Sequence, residues 1–386
     1  MVIWIGVQNI EEERTSRRSL LLLCISIGLL VLARADGFIA GLLACGYLFV
    51  KGRRRAAAAT AATLAGVFVT LVSWRAAYYH DVLPNTYYAK VTSTLAHRLR
   101  SSAKELGGIT SRQGLGIYLL AIAFCAIRLA RSFLRQPRSA IRDLRFDLVF
   151  AIVWLSYWLY VGGDNFEDRF LIILIPMGIF LLLGTILRGA KDSIVHFVVA
   201  AAVFVQLLPV VRQDQFGKRF ASKYDNRIKL GKFLKNRPGR LLATDAAGKI
   251  PFFSELRTID MLGLCDAQIG HKRATEFIPG HTTEFIPGHS KYDTEYVLSL
   301  KPDLIYTSFL GDGLDVFNIS ADRYRSAGYR VHYVVNIGPQ SREADDILDV
   351  ANRRDEDIAM LAHMGWRGVL LERGLPVSDR APENHP

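Results

Sequence analysis

Gly162-Gly163-Asp164-Asn165-Phe166-Glu167-Asp168-Arg169 joins two apolar runs, Trp154–Val161 before it and Phe170–Leu187 after it. Carboxylates and an arginine at the lip of a bilayer are costly unless solvated, paired or used. The two glycines let the backbone bend around Asp164. If both runs enter a membrane, the joint is a surface loop and the first place to look for a site. The fold therefore turns on how many such runs the chain carries.

Seven apolar segments can be drawn: Ser19–Ala33, Phe38–Val50, Ala56–Trp74, Leu115–Ala130, Leu148–Val161, Phe170–Leu187 and Ile194–Val211. A full span needs about 20 residues, within a range of about 17–25. The segments predict a multi-pass α-helical membrane domain over residues 1–211, the shorter ones tilted or re-entrant. The whole chain of 386 residues is 51% hydrophobic, with a mean hydropathy of +0.19. A soluble protein of this size rarely averages above zero, because its surface must be polar. After Arg212 the pattern changes. Arg240–Thr244, Arg257–Leu262, Asp303–Thr307 and Tyr329–Asn336 read as strands and Thr294–Leu300 as a helix, predicting a small α/β domain over 212–375 with some parallel pairing. Residues 376–386 are polar, contain proline and read as a disordered tail.

The net charge is +12. The arginines cluster at the ends of apolar runs, as Arg53-Arg54-Arg55 and as Arg131, Arg135, Arg138, Arg142 and Arg145. That is the placement of cytoplasmic loops rather than of a nucleic-acid-binding face, so no nucleic-acid partner is expected. With these loops inside, the joint, the Arg75–Arg112 loop and everything after Arg212 lie outside the cytoplasmic membrane. The Arg75–Arg112 loop is basic for an external one, and Thr92–Leu106 reads as an amphipathic helix on anionic headgroups. Four cysteines give neither a disulfide framework nor metal-ligand spacing. Met1–Arg18 does not read as a signal peptide, since Glu11-Glu12-Glu13 stands where a cleavage region belongs. The repeated TEFIPGH at Thr275–His281 and Thr283–His289 reads as a surface-loop duplication. His271, His281 and His289 match no metal site of defined geometry, and a divalent metal is the one cofactor left open.

Three polar clusters share one side in this topology: Arg34-Ala35-Asp36-Gly37, the stretch Arg75–Lys90 (RAAYYHDVLPNTYYAK), and the joint. Cations there suit a phosphate and a carboxylate suits a general base. Tyrosines 78, 79, 87 and 88 suit either a sugar ring or the membrane interface. Arg34 and Asp36 read equally well as an ion pair closing a turn, and Glu167 and Asp168 as solvated lip charges. Asp245-Ala246-Ala247-Gly248, at a strand-to-helix turn, reads first as a helix cap and second as a ligand contact.

RADG, HDVLPNTYYAK, VGGDNFEDRFLIILIP and TDAAGKIPFFSELRTIDMLGLCD together resemble the bacterial GT-C-type membrane glycosyltransferases, and within them the mycobacterial terminal β-(1→2) arabinofuranosyltransferase family, over most of residues 20–310. The resemblance implies a polyprenyl-phosphate-linked sugar donor (arabinofuranose in that family), a cell-envelope glycan or lipid acceptor, membrane lipids as surroundings, and inverting transfer outside the cytoplasmic membrane. It makes Asp164 and Asp36 the catalytic candidates. Arg34, Arg75, His80, Asp81, Asn85, Tyr88, Lys90 and Arg169 become donor or phosphate contacts. It also implies a departure. These enzymes place an acidic general base in the first external loop, and nothing before Arg34 fits, so the chain is expected to lack the first several helices and the main catalytic base with them, which leaves two outcomes, an active transferase or an inactive fragment. The alternative is a non-enzymatic, membrane-anchored protein binding glycan or a partner. A transporter is disfavoured because the charges sit at helix ends rather than mid-span.

Overall fold

The computed structural model describes residues 2–12, 16–91, 94–113, 115–163, 170–181, 226–237, 239–245, 247–272, 291–310, 313–336 and 346–374. These fall into two compact units: one of Met1–Pro84 with Arg98–Gln213, the other of Asn85–His97 with Asp214–Pro386.

The first unit is helical. After α1 (Val2–Glu12), α2 (Arg17–Ala33) begins at Ser16, whose hydroxyl accepts the Arg18 N–H, and ends where Arg34 turns extended. Leu23, Ile27 and Val31 line its buried face, while Leu21, Leu22, Ile25, Leu29 and Leu32 are exposed. It is followed by α3 (Gly37–Val50) and α4 (Arg54–Tyr79). A Cβ at Gly41 would stand 2.7 Å from Leu64 Cδ1, so any larger residue would require the Leu64 side chain to shift, and the glycine eases the close approach of α3 to α4. α6 (Leu95–Gln113) follows α5, which belongs to the second unit; α7 (Gly116–Arg135), α8 (Pro137–Asp143), α9 (Phe146–Val161) and α10 (Leu174–Leu181) complete the described helices.

This is not the seven-span membrane domain that the apolar runs suggest. Among the described residues only α4, with 26 residues, and α7, with 20, are long and apolar enough to cross a membrane. α3 and α9 have 14 and 16 residues, and at about 1.5 Å per residue neither reaches across about 30 Å of hydrocarbon. The described part of the sixth run, 170–181, opens with turns at 170–173 and is helical over Leu174–Leu181. The seventh lies outside the described residues. Among the described residues the apolar runs are largely helical but mostly too short to be spans, and much of their apolarity packs in a common core. Val7, Ile27, Leu48, Leu64, Ile122, Trp158 and Leu174 all belong to it.

The glycines of the joint close α9. Gly162 and Gly163 take φ of 100° and 91°, and their N–H groups return to the carbonyls of Leu159 and Trp158, each at 3.2 Å. That is a left-handed helix end that glycine adopts without steric cost. α6 adds two side-chain donors: Arg98 Nη1 donates to Tyr160 O at 2.8 Å, and Ser102 Oγ donates at 3.3 Å to Leu159 O, which also accepts the Gly162 N–H. Arg98 is buried, with its guanidinium 4.5 Å from the Tyr160 ring centroid. α6 is therefore not simply a helix on headgroups. It uses a basic residue at a helix C-terminus, where positive charge is favoured.

The second unit contains α5 (Asn85–Lys90), α11 (Asn226–Lys235), β1 (Leu241–Thr244), α12 (Lys249–Ser254), β2 (Arg257–Asp260), α13 (Ala267–His271), α14 (Thr294–Ser299), β3 (Leu304–Ser308), α15 (Ala321–Ser326), β4 (Tyr329–Val335), β5 (Ile347–Asp349), α16 (Asp355–His363) and β6 (Gly368–Arg373). The sheet order is β2-β1-β3-β6-β4-β5. β1 pairs parallel with β2 and β3, and β6 pairs antiparallel with β3 and β4. One face packs on α11 and α12 through Leu230, Leu234, Ile250, Leu304 and Leu370. The other packs on α13–α16 through Ile269, Val297, Tyr324, Ile358 and Leu371.

Candidate functional site

Short turns make α2, α3 and α4 run up, down and up. The C-termini of α2 and α4 therefore share one end of the first unit. The Tyr47 hydroxyl near the end of α3 lies 3.0 Å from the Leu144 carbonyl, just before α9, so α9 also finishes at that end. Arg34 and Asp36, Arg75–Asp81 and Gly162–Gly163 thus gather at one pole. At the opposite pole Lys51 pairs with Glu11 at 2.8 Å and Arg145 with Asp147 at 2.5 Å.

A cavity of about 620 Å³ reaches the first pole. Its walls are apolar: Ile3 and Trp4 from α1, Leu29 and Leu30 from α2, Ala40 from α3, Phe150 and Trp154 from α9, and Phe170, Ile173 and Met177. Ser26, Arg34 and Asp36 are its polar lining residues, and the Ser26 hydroxyl is turned to the Leu22 carbonyl at 2.7 Å. The aromatic wall is braced by Trp154 Nε1 donating to Phe170 O at 2.7 Å and by stacking of Phe150 on Trp154. Arg34 grips Asp36 in a fork, Nε to Oδ1 at 2.9 Å and Nη2 to Oδ2 at 2.7 Å, while its guanidinium lies 4.7 Å from the Phe170 ring centroid. The Asp36 side chain is 10% exposed and that of Arg34 48%. The turn-closing ion pair and the cavity-lining charge are thus the same two residues.

The other expected contacts fall into separate groups. Arg75 donates from Nε to Val82 O at 3.2 Å and lies 5.6 Å from the Tyr79 ring centroid, so it braces the end of α4. His80 is exposed at the left-handed C-cap of that helix. Asp81 Oδ1 accepts the Leu83 N–H at 3.3 Å. Asn85 and Tyr88 lie on α5 in the second unit. Asn85 Oδ1 sits against Gly270, and the Tyr88 ring is 4.0 Å from that of His271. Beside them Lys291 is buried and donates to the Gly270 carbonyl, and burial lowers its pKa to about 8. Lys90 closes α5. Asp164, Arg169, His281 and His289 lie outside the described residues.

At the carboxyl edge of the sheet, Asp245 follows β1 directly. It does not cap α12, as its place in the sequence suggests: the cap position is Gly248, with no side-chain bond. Asp245 Oδ2 instead accepts the Thr307 hydroxyl from β3 at 2.8 Å. Burial pushes its carboxyl up to about 6 against the pull of that bond and of Arg227. Asp260, at the end of β2, is also raised, by burial first, although it accepts the N–H groups of Leu262 at 3.0 Å and Cys265 at 2.7 Å. No group of three His, Cys, Asp or Glu side chains able to hold a metal occurs among the described residues. Sequence reasoning missed Arg98, Thr307 and Glu372, whose partners stand about 60 to 130 positions away in the chain.

Residues 214–354 match the model of a family described as a domain of unknown function (DUF8728). No curated protein and no solved structure matches the chain.

Proposed function

We propose that this chain is a membrane glycosyltransferase that takes a sugar from a polyprenyl-phosphate donor and passes it to a cell-envelope glycan or lipid on the outer side of the cytoplasmic membrane. The single observation that carries this reading is the apolar cavity with Arg34 and Asp36 in its lining. An isoprenoid chain gains roughly 0.8 kcal/mol per buried CH₂ on entering such a space. A guanidinium at its charged end suits the phosphate. Exposed leucines and isoleucines on α2, together with α4 and α7 lying mostly outside the protein interior, suit contact with lipid.

In the transfer, the bond from the anomeric carbon to the phosphate oxygen breaks as a bond to an acceptor hydroxyl oxygen forms. Polyprenyl phosphate leaves, and the hydroxyl proton passes to a base. Arg34 holds the departing phosphate charge. Asp36, released as the phosphate draws on the guanidinium, is positioned to take the proton. The resemblance of the VGGDNFEDRFLIILIP stretch keeps Asp164 as the second candidate base.

The test is a chain-length series. The full chain, stripped of lipid in detergent, is titrated with decaprenyl phosphate, geranyl phosphate and inorganic phosphate, with thermal stabilisation as readout. Saturable stabilisation is expected from decaprenyl phosphate, less from geranyl phosphate and none from inorganic phosphate at the same concentration. Equal responses to all three would remove the cavity from the account.

A further inference from the structure

Charge is not spread evenly over the second unit. From 226 to 257 eight lysines and arginines stand against two carboxylates, whereas from 258 to 386 thirteen stand against twenty. The basic stretch is α11, β1, α12 and the start of β2. Its two helices lie on one face of the sheet, where Leu230, Leu234 and Ile250 turn inward. Gly231 lets them pack closely: a Cβ there would stand 2.7 Å from Phe253 Cβ and 3.1 Å from the Ile250 carbonyl oxygen. Several cations on this side have protein partners. Lys229 pairs with Asp346, Lys235 with Glu255 at 2.5 Å, and Arg237 and Arg240 with Glu372. Lys232, Lys235 and Lys249 are all exposed, and of the two carboxylates in the stretch only Glu255 is.

Phe252 stands among these lysines. It follows the buried Ile250 by two positions, about 200° round the helix, so it points away from the sheet. It is 76% exposed, more than any other large apolar side chain described in the second unit. Its ring meets that of Phe253 edge-on at 5.1 Å, and the Lys232 ammonium lies 5.9 Å from the Phe253 centroid. Lys249 is one turn back on the same side of α12. A lone exposed phenylalanine is ordinary on a protein surface. This one crowns the basic side of a unit whose remainder is acidic. Met364 and Met360, the next most exposed, lie instead at the end of a helix that opens with Asp355, Glu356 and Asp357.

We propose that the α11–α12 face docks on a bilayer bearing anionic headgroups, with Phe252 entering the acyl boundary and lysines 232, 235 and 249 meeting the headgroups. A ring this exposed protrudes rather than lining a groove, which suits insertion into a soft apolar layer. The lysines select a negative surface over a neutral one, and their stems can lie along the apolar layer while the ammonium groups stay wet. The inference uses neither the cavity of the first unit nor the sugar-donor reading, and its test reads the second unit alone.

The experiment is hydrogen–deuterium exchange mass spectrometry on the full chain in three media: zwitterionic detergent, phosphatidylcholine nanodiscs, and nanodiscs of equal parts phosphatidylcholine and phosphatidylglycerol. Amides of 226–235 and 249–255 should exchange about threefold more slowly, or slower still, in the anionic discs than in the other two media. High salt should remove most of the difference. Phe252→Ser, and Lys232→Glu combined with Lys249→Glu, should each abolish most of the slowing, and Met360→Ser should keep it. All four positions are exposed, so the fold is kept. Equal exchange in the three media, or slowing untouched by either set of substitutions, would overturn the proposal. So would slowing already complete in detergent, which would mean that protein covers the face. Slowing by soluble polyglutamate but not by the anionic discs would assign the face to an acidic macromolecule and overturn it too.

Discussion

Arg34→Ala is expected to weaken decaprenyl phosphate binding about thirtyfold, because a hydrogen-bonded charge pair contributes about 2 kcal/mol and each 1.4 kcal/mol is about tenfold. The ligand has to compete with Asp36, which takes Nε and Nη2 of the same guanidinium. The side chain of Arg34 is 48% exposed and that of Asp36 10%, so solvent screens the pair from the arginine side, where the phosphate would approach. The Phe170 ring below the guanidinium keeps it at the cavity while Asp36 yields. Arg34→Lys should give an intermediate loss, since an ammonium keeps the charge but not the planar fork. Arg18→Ala, near the start of α2, should leave binding as it is. Titration by native mass spectrometry reads all three. An Arg34→Ala protein that binds like the wild type would mean that the phosphate is read elsewhere.

Glu372→Ala is expected to destabilise the chain by about 2–3 kcal/mol at pH 7. Glu372 lies on β6, where Arg240 donates to Oε1, Arg237 approaches Oε2 at 3.3 Å, and His332 meets Oε2. Its side chain is 16% exposed, so the charges are poorly screened. The hydrogen bond with His332, followed by Arg240, holds its carboxyl down at about 2. A carboxylate depressed from its ordinary value of about 4.5 contributes stability that is full above that value and is lost as pH falls through about 2. Holding the carboxyl at about 2 instead of 4.5 corresponds to roughly 3 kcal/mol. Removing the glutamate also leaves Arg237, Arg240 and His332 together without their shared anion. Urea unfolding of wild type and variant at pH 7 and at pH 3 should show the gap narrow in acid. A gap of the same size at both values would assign the loss to packing rather than charge.

Local pattern and long-range pairing divide what the sequence made legible. β1 to β4 could be read because β-branched and aromatic residues alternate or cluster between turn residues. β6 could not. Val369, Leu370 and Leu371 are buried on alternate faces of a central strand, so no period of two appears. The helices of the first unit were legible as apolar runs, but their role was not, since the same leucines serve a protein core or a lipid face. Gly162 and Gly163 were legible as a bend, and the bend is a helix end held from α6 by Arg98 and Ser102. Arg34 and Asp36, two residues apart, could be paired from sequence. The cavity beside them could not, because it is assembled from α1, α2, α3, α9 and the 170–177 segment. Asp245 was misread as a cap because its partner Thr307 lies 62 positions on.

Photo-crosslinking tests the account most directly. A decaprenyl phosphate carrying a diazirine on its isoprenoid chain is bound to the full chain, irradiated, and the labelled peptides are sequenced. The label should fall on the cavity wall, at Trp4, Phe150, Trp154 and Met177, and should be displaced by excess unlabelled decaprenyl phosphate. Label spread over the exposed sides of α4 and α7, undiminished by competitor and missing from the cavity wall, would contradict the account.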